Sequence, residues 1–277
     1  MTTVQQASSD LITAGLIQKE LRTAFLGHPA SYLPSTTSTN TIAHELARAG
    51  AQDGTLVITD HQTRGRGRLE RAWIAPPGED LLFSLILRPA LRPAQAFQVT
   101  AAASLAVAYA IRQETGLDAL IKWPNDIYIR EKKAAGILTE LGVCGDQLAY
   151  AVAGIGINVN SDPSLHPELR ETATSLKREA GRALARLPLL AATLEILEQF
   201  YVRLKDGACR ELKEMWEALS LIKGRQISIS TGDVLFEGIA ESVEDDGTLV
   251  MRDRNGRECR FVYGDVSLAV KARGLGS

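Results

Sequence analysis

Two segments of the sequence combine closely spaced cationic side chains with glycine. They are RGRGRLERAW, from Arg64 to Trp73, and KKAAGIL, from Lys132 to Leu138. Arginine binds phosphate and carboxylate groups through paired hydrogen bonds, and lysine supplies a compact positive charge. Glycine lets the backbone approach a ligand closely and adopt a positive φ. Together the two segments predict a local anion site over which a mobile arginine loop closes.

The alternative for the arginine segment is a solvated surface turn. In an extended chain, Arg64, Arg66 and Arg68 would share one side. The two glycines between them make the segment too flexible for a stable surface element, and Glu70 is the only acidic residue that it contains. We therefore favour a loop that becomes ordered on an anionic ligand.

The motif KWPND, from Lys122 to Asp126, precedes the second segment. Its Asp126 either belongs to a turn or is a carboxylate that holds a metal ion or a lysine. Lys133 follows a hairpin turn, where a lysine is most often solvated. Gly136, however, lies inside an apolar strand and weakens its packing unless another group approaches closely. A small ligand beside this strand would account for both Lys133 and Gly136.

A third segment, GIGINVN, alternates between two kinds of residue along a predicted strand. One face is apolar and should point into the core, whereas the other carries Gly154, Gly156, Asn158 and Asn160. The glycine face forms either a floor for a flat or bulky ligand or a surface on which a neighbouring element packs. The segment lacks the GxGxxG fingerprint of dinucleotide-binding proteins, and no helix follows it.

The cluster Ser38-Thr39-Asn40 precedes an amphipathic helix predicted from Thr41. Such a cluster is typical of a helix N-cap. Its hydroxyl and amide groups could also bind the polar head of a ligand at the helix N-terminus. The two interpretations are compatible.

The elements that must position these residues indicate an α+β fold. Helices are predicted over residues 10–25, 96–114, 188–205 and 209–220, and strands over residues 56–59, 81–87, 127–129, 135–141 and 149–159. Residues 161–187 are polar and predict a surface excursion with some helix. Because several strands follow one another directly, we expect a mixed or antiparallel sheet. Five further short strands, over residues 226–230, 235–243, 248–252, 259–262 and 266–270, predict a small barrel.

Composition narrows the classes of function. The chain has 277 residues and a formal net charge of -2, which argues against a general polyanion-binding protein. Its three cysteines have no metal or redox spacing, so we expect free, buried thiols. No signal peptide is evident, and the longest nearly apolar run, residues 99–111, is too short to cross a membrane. We therefore expect a soluble cytoplasmic protein.

In their order along the chain, STN, GRGR with its following tryptophan, KWPND, KxAGIL and GIGIN resemble the catalytic domain of biotin–protein ligases. The sequence GDVSL, from Gly264 to Leu268, resembles the last strand of that family. The resemblance implies a mixed sheet flanked by helices, similar to the class II aminoacyl-tRNA synthetase core, and a C-terminal SH3-like barrel. It divides the chain into an N-terminal helical extension (1–30), a catalytic biotin- and ATP-binding domain (31–223) and the barrel (224–277).

The resemblance also implies an adenylate-forming carbon–nitrogen ligase, a biotin–[acetyl-CoA-carboxylase] ligase. Such an enzyme converts ATP and biotin into biotinyl-5′-AMP and then acylates one lysine of a biotin carboxyl carrier domain of a carboxylase. Mg²⁺ would act through the ATP phosphates, since no direct metal-ligand signature is present. Family members often form homodimers. The N-terminal DNA-binding domain of repressor-type members finds no counterpart before Pro34, so neither DNA nor a membrane is an expected partner.

Site residues follow from the resemblance position by position. The catalytic candidates are Lys133, Arg68 and Asp126. The biotin-binding candidates are Ser38, Thr39, Asn40, Gln62, Arg66, Gly67, Arg68, Lys133, Gly136, Gly154 and Gly156. The ATP-binding candidates are Arg66, Arg68, Arg71, Trp73, Asn125, Lys133 and Asn158.

The sequence departs from the family pattern at Glu70, where the arginine loop usually has glycine. Glutamate tolerates a positive φ poorly, so we expect Glu70 to oppose the closed form of the loop. A lipoate–protein ligase would share the fold and the adenylation chemistry, but its paired-arginine segment and Gly-Gly-Gly run are absent. A nucleic-acid-binding protein is disfavoured by the balanced charge and the 5% aromatic content.

Overall fold

The computed structural model describes residues 10–268. Its helices are α1 (Ala14–Glu20), α2 (Thr39–Arg48), α3 (Phe97–Thr115), α4 (Leu176–Ala180), α5 (Arg186–Lys205) and α6 (Cys209–Ala218). Its strands are β1 (Ala30–Leu33), β2 (Leu56–Thr59), β3 (Leu81–Leu87), β4 (Ala119–Lys122), β5 (Asp126–Ile129), β6 (Lys132–Cys144), β7 (Gln147–Ile157), β8 (Gln226–Thr231), β9 (Val234–Val243), β10 (Leu249–Asp253), β11 (Glu258–Phe261) and β12 (Asp265–Leu268).

The main sheet has seven strands in the order β1-β2-β3-β7-β6-β5-β4. Strands β1 and β2 are parallel, and the other neighbouring pairs are antiparallel. This arrangement confirms the mixed sheet. The hairpin of β5 and β6 turns at Arg130, whose φ is 56°.

Helices cover both faces of the main sheet, but not equally. Phe83 and Ile155 point toward the large core that contains α3 and α5. Val57 and Val152 point the other way and pack with α2 in a smaller cluster. Because Gly154 has the parity of Val152, the glycine face lies on the side of the short helix α2. Beyond the N-terminus of α2, this side of the sheet is not covered by that helix and leaves room for a cavity.

The C-terminal sheet is antiparallel, with the strand order β11-β10-β9-β8-β12. It supplies the second, smaller β unit expected from the closely spaced turns, and it fits an SH3-like domain. Of the last predicted strand, residues 269–270 lie outside the described residues. The sheet contacts the main domain through Trp123, whose indole N–H donates to Gly247 O at 2.8 Å, and through Gln98, whose amide donates to Asp245 O at 2.8 Å.

Two predicted helices have different limits in the structure. The helix predicted over residues 10–25 covers only Ala14–Glu20. It ends early because Glu198 of α5 accepts the backbone N–H groups of Ala24, Phe25 and Leu26. Helix α2 begins at Thr39, two residues before its predicted start.

The expectation that the cysteines are buried was wrong. All three cysteines lie in the described residues and are free, but none is buried and Cys144 is exposed. By length and composition alone, the helical segment Pro93–Thr115 could cross a membrane. However, 67% of its 18-residue apolar window is buried inside the fold. The mostly buried core helix of a globular protein meets the same criteria of length and apolar composition.

Strands β1 and β4 were not predicted. Each has four residues, and neither has a fully buried pattern. Such short strands are defined by pairing with a neighbouring strand, β2 for β1 and β5 for β4, rather than by their own sequence.

Candidate active site

A cavity of about 410 Å³ lies on the glycine face of the main sheet. Its walls are the arginine loop, the KWPND segment, the start of β6, the glycines of β7 and residues 264–267 of the C-terminal sheet. The predicted site residues that line it are Thr39, Gln62, Arg66, Gly67, Arg68, Arg71, Trp73, Asn125, Asp126, Lys133, Gly136, Gly154, Gly156 and Asn158. The fold thus brings together residues that are separated by up to 119 positions in the sequence, from Thr39 to Asn158.

The arginine loop folds back on itself, so the extended form considered for it is wrong. Arg66 and Ala72 form an isolated antiparallel bridge, and the Gly67 N–H donates to Arg71 O at 2.7 Å. Leu69 and Glu70 turn the chain with φ values of 53° and 58°. Arg66 and Arg68 therefore face the cavity, whereas Arg64 is exposed outside it.

Trp73, at the end of the loop, lies on the glycine floor. Gly136 and Gly156 are directly opposite each other on β6 and β7. A Cβ added to Gly156 would be 2.5 Å from Trp73 Cε2, and one added to Gly136 would be 3.0 Å from Trp73 Cζ3. Both interpretations of the glycine face thus apply, since it borders the cavity and receives a packed side chain. Among the described residues, the buried Trp73 Nε1 has no hydrogen-bond partner.

Lys133 and Asp126 form an ion pair on neighbouring strands. Lys133 Nζ is 2.7 Å from Asp126 Oδ1, and it lies 5.4 Å from the centroid of the Trp73 ring. Of the roles considered for Asp126, holding a lysine is the one that the structure contains. A lysine held beside an aromatic face and one carboxylate can meet an incoming anion without a large movement.

Arg68 is the second cation that faces the cavity. Its guanidinium donates to Asn125 Oδ1 at 3.3 Å. Burial lowers the pKa of Arg68, although Asp126 and Asp265 oppose this effect. Asn125 is fixed in turn, because its amide donates to Ile137 O at 2.6 Å. An arginine that is held by a neutral amide keeps its charge available for a ligand.

The Ser38-Thr39-Asn40 cluster begins α2 but does not cap it through a side chain. Ser38 is the N-cap residue and makes no side-chain cap hydrogen bond. The Thr39 N–H donates to Gln62 Oε1 at 2.8 Å, so two predicted biotin-binding residues are in contact. Asn40 accepts from Ser84 Oγ at 2.6 Å and donates to Glu140 Oε2 at 2.6 Å. Neither Ser38 nor Asn40 lines the cavity; the Asn40 amide packs against Gly154 behind its wall.

Asn158 also has a structural partner. Its side-chain amide donates to Thr174 O at 3.0 Å and so ties the end of β7 to the excursion that follows it. That excursion contributes Leu169, Thr172 and Ala173 to the cavity wall. No feature of their sequence marks these three residues, because only the path of the chain after β7 brings them there.

Three titratable residues of the cavity were missed as site residues. Lys122 and Tyr128 come from β4 and β5, and Asp265 comes from the C-terminal sheet, where it forms an ion pair with Arg71. In β4, Ala119 and Ile121 are buried on the face opposite Lys122, but this alternation is recognisable only once the strand itself is known. The position of Asp265 depends on how the two sheets pack, so no local pattern could have indicated it.

The described residues contain no group of three or more histidine, cysteine, aspartate or glutamate side chains that could hold a metal ion. Within the cavity, the Asp126 carboxylate is already paired with Lys133. The donor set therefore does not fit a metal ion held by protein ligands alone.

Comparison with known proteins places this geometry in a family. Residues 32–158 match the model of the biotin/lipoate A/B protein ligase family. The chain is 38% identical to the bifunctional ligase/repressor BirA of Bacillus subtilis over 237 residues, which cover 85% of this chain and 73% of that protein. It is 31% identical to the biotin–[acetyl-CoA-carboxylase] ligase of Paracoccus denitrificans, over 82% of this chain and 95% of that protein.

A solved structure of a biotin protein ligase is also similar to this chain. The biotin protein ligase of Aquifex aeolicus, in complex with biotin and ATP, superposes with a TM-score of 0.71 and 28% sequence identity. The match covers 86% of this chain and 97% of the Aquifex chain. With its cavity, its motifs and these relatives taken together, the chain belongs to the biotin/lipoate A/B protein ligase family.

Proposed function

We propose that this protein is a biotin–protein ligase that forms biotinyl-5′-AMP from biotin and ATP and transfers the biotinyl group to a lysine of a biotin carboxyl carrier domain. The observation that carries the proposal is the single cavity in which Arg68 and Lys133 face a glycine floor under the arginine loop. Relatives over most of the chain are named biotin–[acetyl-CoA-carboxylase] ligases, which supports a carboxylase carrier as the partner.

In the first step, a biotin carboxylate oxygen bonds to the α-phosphorus of ATP. The bond from that phosphorus to the bridging oxygen breaks, and its electron pair leaves with pyrophosphate. Two anions must approach each other, so positive charge in a site shielded from water lowers the barrier. Lys133 and Arg68 supply this charge, with Asp126 and Asn125 holding them in place.

In the second step, the carrier lysine attacks the carbonyl carbon of the mixed anhydride and AMP leaves. The amine must lose a proton, and Asp126 is the candidate to orient the amine or accept that proton once Lys133 contacts the adenylate. Between the two steps the adenylate needs protection from water. The arginine loop supports this protection, because residues 66–69 and Arg71 border the cavity on one side.

Mg²⁺ is proposed to arrive with ATP, as part of that substrate. The division into residues 1–30, 31–223 and 224–277 is likewise proposed; the separation between the two sheets supports the second boundary.

The test is biotin-dependent exchange of labelled pyrophosphate into ATP. We expect exchange with biotin and none with lipoate, followed by transfer of biotin to a carrier domain. A carrier domain whose acceptor lysine is replaced by arginine is the matched control and should stay unlabelled. Exchange that depends on lipoate instead of biotin would show a lipoate ligase, and no exchange with either acid would refute the adenylation chemistry.

A further inference from the structure

Lys122 is the last residue of β4 and borders the cavity. Because alternate residues of β4 point in opposite directions, Lys122 faces away from the core that buries Ile121. Its ammonium group donates to Tyr128 Oη at 3.0 Å and lies 4.7 Å from the centroid of the Tyr128 ring. Lys122 is therefore held at a defined place in the wall of the cavity.

Five lysine and arginine side chains line the cavity, and three of them have an acidic partner. The pairs are Arg66 with Glu140, Arg71 with Asp265, and Lys133 with Asp126. The other two, Arg68 and Lys122, donate to neutral oxygens. Within residues 10–268, neither has a carboxylate oxygen within 4.0 Å.

A half-buried ammonium group without an ion pair is unfavourable, and an anion in the cavity would relieve it. Burial lowers the pKa of Lys122, Asp126 on the neighbouring strand raises it, and Lys133 lowers it further. The attraction of Asp126 is thus shared between two lysines, of which only Lys133 is close enough for an ion pair.

Strand order indicates which anion lies near Lys122. The glycines at 154 and 156 are on β7, Lys133 is on β6, and Lys122 is on β4, three strands from the glycines. Neighbouring strands are spaced by 4.7–4.9 Å, so Lys122 is about 14 Å across the sheet from the glycine floor. Thr39 and Gln62 border the cavity near the glycine end. If biotin occupies that end and Lys133 holds the reacting groups, the remaining phosphates of ATP fall toward Lys122.

We propose that Lys122 is a second phosphate-binding lysine, which contacts the β- and γ-phosphates of ATP and stabilises the charge on pyrophosphate as it leaves. This inference rests on the proposed ligase function. It separates the roles of the two lysines: Lys133 acts at the biotin carboxylate and the α-phosphate, and Lys122 acts on the leaving group. It also predicts that Lys122 takes no part in the transfer to the carrier lysine, because pyrophosphate has left by then.

The test compares the two half-reactions in Lys122→Met, which keeps the aliphatic chain and removes the charge. We expect kcat/KM for ATP in pyrophosphate exchange to fall by about tenfold to hundredfold. Transfer from chemically supplied biotinyl-5′-AMP to a carrier domain should stay within about twofold of the wild type. Lys122→Arg should recover part of the exchange. Lys177→Met, at an exposed lysine of α4, is the matched control and should leave both reactions unchanged.

Each other outcome would overturn the proposal. Near-wild-type exchange in Lys122→Met would show that the residue does not bind phosphate. An equal loss of both half-reactions, with a lower melting temperature, would show a structural role shared with Tyr128. A loss confined to transfer would place Lys122 at the carrier lysine. Failure of the wild type to exchange would instead refute the ligase function itself, independently of any variant.

Discussion

At the scale of single residues, the arginine loop of this chain is unusual in its backbone. Leu69 and Glu70 both have φ values in the left-handed region, at 53° and 58°. A side chain with a Cβ in this region costs about 1–2 kcal/mol relative to the right-handed conformation, and glycine avoids most of that cost. Glu70 therefore does adopt the geometry that a glycine would have supplied, at an energetic cost.

This cost can be measured by comparing Glu70→Gly with Glu70→Ala. Both remove the carboxylate, but only glycine relieves the left-handed strain. We expect Glu70→Gly to be about 1 kcal/mol more stable to unfolding than Glu70→Ala, by chemical denaturation. Equal stability of the two variants would show that the left-handed geometry is not maintained in solution.

Replacing Lys133 or Arg68 gives the sharpest prediction for activity. Lys133→Ala and Arg68→Ala should each lower biotin-dependent pyrophosphate exchange by about hundredfold or more, because each removes a positive charge from the site of phosphoryl charge development. The far-ultraviolet circular dichroism spectra should match the wild type, since both side chains border the cavity and not the core. Near-normal exchange in both variants would remove these assignments.

At the scale of elements, β6 and β7 form a slot through a cross-strand pair of glycines. Gly136 and Gly156 face each other, and the Trp73 indole lies over both. The glycines therefore join two elements that are distant in sequence, because they let the end of the arginine loop pack directly on the sheet.

Gly156→Ala tests this slot. The new methyl group would be 2.5 Å from Trp73 Cε2, so the indole must move and carry the loop with it. We expect a loss of about 1–3 kcal/mol of stability and a clear fall in pyrophosphate exchange. Gly15→Ala in α1 is the control, because a Cβ there meets no atom within 4 Å. Its stability should be unchanged or slightly higher, since alanine favours helix. If Gly156→Ala behaves like Gly15→Ala, the slot does not position Trp73.

At the scale of the whole molecule, the C-terminal sheet is part of the wall of the site. Residues 264–267 border the cavity, and the Arg71–Asp265 ion pair joins this sheet to the arginine loop. The turn between β9 and β10 packs on the main domain, where Gly247 O accepts from the Trp123 indole and the glycine itself lies against Phe97. Activity should therefore depend on how the two sheets are packed.

Gly247→Ala and Gly256→Ala isolate that dependence. Both glycines have positive φ, 92° and 77°, so alanine strains both by a similar amount. Only at Gly247 does the added Cβ meet another part of the fold, at 2.6 Å from Phe97 Cδ2. We expect Gly256→Ala to lose about 1 kcal/mol with normal exchange, and Gly247→Ala to lose about 2–4 kcal/mol with reduced exchange. Equal behaviour would show that the packing of the C-terminal sheet does not influence the site.

Local sequence was sufficient for elements with a strong pattern of their own. Strand β3 and helices α3 and α5 were predicted within about two residues of their observed limits, because each has a continuous or periodic apolar pattern. The motifs could also be interpreted from the sequence alone, because arginine, lysine and glycine at these spacings favour an anion site whatever surrounds them. Strands β1 and β4 could not be predicted, because whether a four-residue segment at the edge of a sheet forms a strand depends on the strand beside it.

The sequence by itself determined the α+β class, the family resemblance and 14 of the 31 residues that line the cavity. Tertiary structure alone decided where Glu140, Asp265 and Lys122 act, and that Asn40 lies behind the wall. It also decided that Trp73 fills the glycine slot. The physical reason is that residue type and spacing set which interactions a side chain can make, whereas strand order and sheet packing set which partner is within reach. For the five cations of the cavity, only the fold shows which ones are already neutralised.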